Sequence, residues 1–66
     1  MPKTLEELAI MLAKRDGISY EEELAMIRDV AAEMEQAFFD GSLDEAEDIL
    51  RMELGLEPDY LDLFIF

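Results

Sequence analysis

The chain has 66 residues, 18 of them Asp or Glu against 5 Lys or Arg, which gives a net charge of −13 with no histidine and no cysteine. That composition excludes a disulfide framework, a thiolate metal site and an imidazole base, and it leaves no basic surface to replace the counterions of a nucleic acid or to attract an anionic membrane. With 52% hydrophobic residues the sequence is too apolar for a disordered acidic tail and fits one folded domain over residues 1–66.

Three segments share one pattern: a hydroxyl residue, an acid three positions on, apolar residues at helical spacing, then glycine. Thr4 with Glu7, Ser19 with Glu22 and Ser42 with Glu45 each match a capping box, in which the hydroxyl accepts from a first-turn N–H and the acid reaches back to the cap. Gly17, Gly41 and Gly55 stand where each helix should stop. The first helix is predicted over 4–15, with Leu5, Leu8, Ala9 and Leu12 on one stripe and Lys14 and Arg15 beside the negative end of the helix dipole. The second is predicted over 19–39, where Tyr20, Leu24, Ile27, Ala31, Met34 and Phe38 alternate spacings of four and three as a seam. The third, over 42–54, puts Leu43, Ala46, Leu50 and Leu54 on one face beside Ile49. A short fourth turn is expected from Pro58, turning Leu61, Phe64 and Ile65 inward. The expected fold is all-α, a small bundle of three main helices with a short C-terminal helical turn. Short connectors favour a bundle within one chain over a coiled coil with another copy.

The residues offer little to a catalyst. Ser19 and Ser42 are accounted for as helix caps, and paired carboxylates need a cleft to perturb one of them, for which a chain this small has little room. No enzymatic activity and no cofactor are expected. Placing Gly17 or Gly41 sixth in a calcium loop puts Leu12, Lys14 and Asp16, or Gln36, Phe38 and Asp40, at the first three ligand positions, so neither register works. A carboxylate-bridged di-iron site lacks its histidine. Glu6 and Glu7 interrupt the only candidate for a secretory apolar run, so a cytoplasmic protein is expected.

Charge is distributed unevenly. Residues 1–28 hold six acids and four bases, whereas residues 29–66 hold twelve acids and one base, Arg51. Acids in a first helical turn suit the dipole, but like charges one turn apart repel. Carboxylates at that spacing lie ~5–6 Å apart, close to the phosphate spacing of a strand. At one charge per ~1.7 Å of duplex, the excess charge corresponds to about 22 Å of helix axis. The acids of the second half are therefore read as a partner-binding surface for a basic protein: Asp44, Glu45, Glu47 and Asp48, extended across the connection by Glu33 and Asp40.

The segments Ser19-Tyr20-Glu21-Glu22, Asp40-Gly41-Ser42-Leu43-Asp44-Glu45-Ala46 and Glu53-Leu54-Gly55-Leu56-Glu57-Pro58-Asp59-Tyr60 resemble short acidic helical proteins carried by phages and mobile elements. Size and charge are similar to those of anti-CRISPR proteins, many of which are small acidic inhibitors that occupy a nucleic-acid or PAM-reading groove of a Cas effector. The resemblance implies a stoichiometric inhibitor of a basic nucleic-acid-binding complex, of which a Cas effector is one example. Those families share no common motif, so no residue role is carried over.

The alternative reading is a protein-interaction module, such as an antitoxin, an assembly factor or a regulatory subunit, that docks through apolar contacts. It draws on the tail from Tyr60 to Phe66, too apolar for one face of a short turn to bury, and on Met11, Met26 and Met52 as exposed, adaptable side chains.

Overall fold

The computed structural model describes residues 2–65. Helix α1 spans Leu5–Asp16, α2 Tyr20–Phe39 and α3 Leu43–Leu54, followed by a 3-10 helix, η1, over Pro58–Leu63. There is no strand among the described residues. Twenty residues at ~1.5 Å each make α2 ~30 Å long, matching the 33 Å long dimension of the molecule. It is the central helix: α1 and α3 both pack on α2, and η1 packs on α3.

The helix starts follow local chemistry at two of the three predicted caps. Thr4 Oγ1 accepts from the Glu7 N–H at 3.1 Å, and Ser19 Oγ accepts from the Glu22 N–H at 3.1 Å. The return bond of the second box runs between side chains, Ser19 Oγ donating to Glu22 Oε1 at 3.2 Å. At Ser42 no side-chain cap bond forms, so the third capping box is not made. The connectors explain the difference. After α1, Ile18 donates back to the Ala13 carbonyl and leaves the next residue, Ser19, free to cap. After α2, Ser42 itself donates back to the Ala37 carbonyl at 2.9 Å and must also begin α3. Its ψ is 79°, against 164° at Thr4 and 157° at Ser19, so its hydroxyl is not aimed at the first-turn N–H groups.

All three predicted stops are left-handed, with φ of 69° at Gly17, 76° at Gly41 and 65° at Gly55, a region where a Cβ is penalised.

The core joins Leu8, Ala9 and Leu12 of α1, Ile27, Val30, Met34 and Ala37 of α2, and Ala46, Leu50 and Leu54 of α3, closed by Leu56, Leu61 and Phe64. The packing departs from several sequence expectations. The most buried line of α2 runs through Glu23, Ile27, Val30, Met34 and Ala37. Of the predicted seam, Tyr20, Leu24, Ala31 and Phe38 are only partly buried. A helix packed by neighbours on two sides buries a broader face than a two-helix seam, and its centre falls one position away. Leu43 and Ile65 are exposed rather than inward, whereas Met11 is half-buried against the core rather than exposed. Met26 and Met52 are exposed as expected. The tail closes the core through Leu61 and Phe64, and Phe66 lies outside the described residues.

Candidate functional site

The first two turns of α3 hold the densest acid. Asp44, Glu45 and Asp48 are exposed and line one shallow depression with Gly41, Ser42 and Leu43. They converge because Asp48 lies one helical turn from both of the others, at i+4 from Asp44 and i+3 from Glu45, while Ala46 and Leu50 turn the opposite side into the core. Arg51 bonds Asp48 Oδ1 through Nη2 at 2.7 Å, both side chains remaining in solvent. The base that interrupts the acidic half is thus engaged with one of its acids.

The other three predicted site residues are placed apart from this depression. Asp40 is exposed in the α2–α3 turn, next to Gly41 but not lining the hollow. Glu33 is exposed on α2, two helical turns before that turn, and Glu47 is half-buried at the edge of the α3 core face. Because the Ser42 N–H is bound to Ala37, Glu45 is not tied into a capping box and projects into the acidic face alone.

A second surface adjoins the first. Phe39 is 89% exposed at the last residue of α2, Leu43 56% at the first residue of α3, and Ile65 51% just beyond η1. Together with Phe38, Phe64 and Glu35 they line an apolar depression. Leu43 belongs to both hollows, so the apolar surface runs directly into the acidic one.

One feature of the opposite end of α2 is absent from the sequence reading. Glu23 has no exposed surface, and neither Oε1 nor Oε2 has a hydrogen-bond partner. Burial pushes its carboxyl above the ordinary glutamate range, and the Asp16 carboxylate beside it pushes the same way. In its protonated form the Glu23 carboxyl carries an O–H that the Asp16 carboxylate can accept. Asp16 in turn is held below its usual range, first by the hydrogen bonds from Arg15, with Nε at 2.8 Å from Oδ1 and Nη2 at 3.2 Å from Oδ2. That same bond raises the affinity of the Arg15 guanidinium for its proton. A carboxyl without exposed surface touches no ligand in this fold, so its effect falls on folding. The signal in the sequence is the spacing of Glu23 to Ile27, Val30 and Met34 at i+4, i+7 and i+11.

Among the described residues, no three carboxylates converge as metal ligands, and no helix is long and apolar enough to cross a membrane. Comparison with protein-family models, with curated proteins and with solved structures finds nothing that matches this chain.

Proposed function

We propose that this protein is a stoichiometric inhibitor that mimics nucleic acid, presenting its acidic face to the basic groove of a nucleic-acid-binding complex, as the resemblance to anti-CRISPR inhibitors implies. The observation that carries the reading is the side-by-side exposure of Asp44, Glu45 and Asp48 on α3, in a half of the chain with twelve acids and one base. Fixed on a helix, these carboxylates repeat at ~5–6 Å, and a basic groove built for phosphates offers them the counter-charge that the chain itself lacks. Inhibition then needs no chemistry. Occupation of the groove displaces the nucleic acid, and the long-range attraction speeds encounter.

The test combines Asp40→Asn, Asp44→Asn, Glu45→Gln and Asp48→Asn in one variant, with folding verified by circular dichroism. A basic partner is first isolated by affinity capture and identified by mass spectrometry. The parent should then compete with duplex DNA or RNA for that partner, with a steep loss of affinity in salt, and the neutralised variant should bind more slowly and with a shallower salt dependence. If the neutralised, folded variant binds as tightly as the parent, nucleic-acid mimicry is wrong.

The exposure of Phe39, Leu43 and Ile65 favours a second reading, a protein-interaction module docking through apolar contacts. Affinity that is insensitive to salt would distinguish it.

A further inference from the structure

We propose that the apolar depression at the α2–α3 turn is a docking site for a basic amphipathic segment of another protein, with apolar side chains seated on Phe39, Leu43 and Ile65 and Lys or Arg residues reaching the adjoining acids. The proposal rests on the reading of the acidic face as a surface for a basic partner and adds an apolar anchor to it.

The occupant follows from the charge around the hollow. Its floor is made by Phe38, Phe39, Leu43, Phe64 and Ile65, and among the described residues the one charged residue lining it is Glu35. Through Leu43 it opens onto Asp44, Glu45 and Asp48, and Asp40 follows Phe39 directly in the turn. The one base of residues 29–66, Arg51, is engaged with Asp48. A second copy of this chain would bring the same acids, on a molecule of charge −13, against these. An anionic lipid surface is repelled in the same way. A segment with apolar residues on one side and Lys or Arg flanking them satisfies both hollows at once, the apolar side chains removing exposed aromatic and aliphatic surface from water and the cations pairing with the rim.

The probes are two synthetic helical peptides of equal positive charge, each of roughly four turns. One is built from Lys and Leu with Leu on a single face, and the other has Ser in place of every Leu. Binding is followed by calorimetry and by backbone amide NMR shifts of the full chain at near-physiological salt. The Lys–Leu peptide should bind the parent about tenfold or more tightly than the Lys–Ser peptide, with shifts centred on Phe39, Leu43 and Ile65. Phe39→Ser, at a position that is already solvent-exposed and so keeps the fold, should lose about that factor for Lys–Leu while binding Lys–Ser as the parent does. The Asp40, Asp44, Glu45 and Asp48 neutralised variant should weaken both peptides.

Equal affinity of the parent for the two peptides, or Lys–Leu binding unaltered by Phe39→Ser, would overturn the apolar anchor while leaving the acidic face intact. Neutralisation without effect on either peptide would instead refute the acidic-face reading. Sedimentation velocity completes the set: a concentration-dependent dimer of the parent that Phe39→Ser abolishes would assign the hollow to a second copy and overturn the proposal.

Discussion

Glu23→Gln should stabilise the protein at neutral pH. Glu23 is buried on the central line of α2, with no hydrogen-bond partner at either carboxylate oxygen. The nearby Arg15 guanidinium is bonded to Asp16 instead. Below the unfolded-state pKa of a glutamate, ~4.3, folded and unfolded chains both hold the Glu23 proton and the residue carries no ionic penalty. Because burial raises the folded pKa, the unfolded chain releases its proton first as pH rises. Stability contributed by this group then falls by ~1.4 kcal/mol per pH unit until the folded carboxyl also ionises. Glutamine keeps the size, stays neutral at every pH and has N–H groups to offer Asp16. The penalty that glutamine removes is the ionic one, so the variant should gain about 1.4 kcal/mol for each pH unit above the unfolded-state pKa until the folded carboxyl ionises, and almost nothing near pH 4. At ~4–8 °C per kcal/mol for a domain of this size, melting followed by circular dichroism resolves the gain. Other carboxylates titrate over the same range, so the measured quantity is the difference between variant and parent at each pH. A Glu23→Gln protein that is less stable than the parent at pH 7, or a difference that does not change between pH 4 and pH 7.5, refutes the assignment of Glu23 as an unpaired buried acid.

Two further outcomes follow from the caps and from the surface charge. Ser19→Ala should cost ~1 kcal/mol through loss of its bond from the Glu22 N–H, whereas Ser42→Ala, which removes no cap bond, should cost well under ~0.5 kcal/mol; urea midpoints compare the two directly. Raising NaCl from about 20 mM to about 500 mM shortens the Debye length severalfold and should raise the melting temperature by screening the twelve acids of residues 29–66. The neutralised variant should show a smaller rise, and an equal rise in both proteins would attribute the effect to salting-out instead.

Much of the fold is legible without tertiary structure because it depends on interactions spanning a single helical turn. The Thr4 and Ser19 caps, the left-handed glycines and the Pro58 start of η1 each involve residues within five positions of one another. The clustering of Asp44, Glu45 and Asp48 is legible for the same reason, since helical periodicity alone puts them on one side. Features set by the covering of one element by another are not. Glu23 in the first turn of α2 reads as an ordinary favourable partner for the helix dipole, until α2 is packed by neighbours on two sides and its central line falls on that residue. Leu43 reads as a core residue by its spacing to Ala46 and Leu50, but no element of the described residues buries it at the α2–α3 turn, and it stays exposed beside Phe39 and Ile65. Ser42 has the right residue type for a cap and loses the bond because its own N–H is required to end α2. Local sequence thus determined where helices begin and end and which helix carries the acid. Tertiary packing decided which polar group lost its water and which apolar groups kept theirs, because burial belongs to the neighbours that cover a residue as much as to the residue itself.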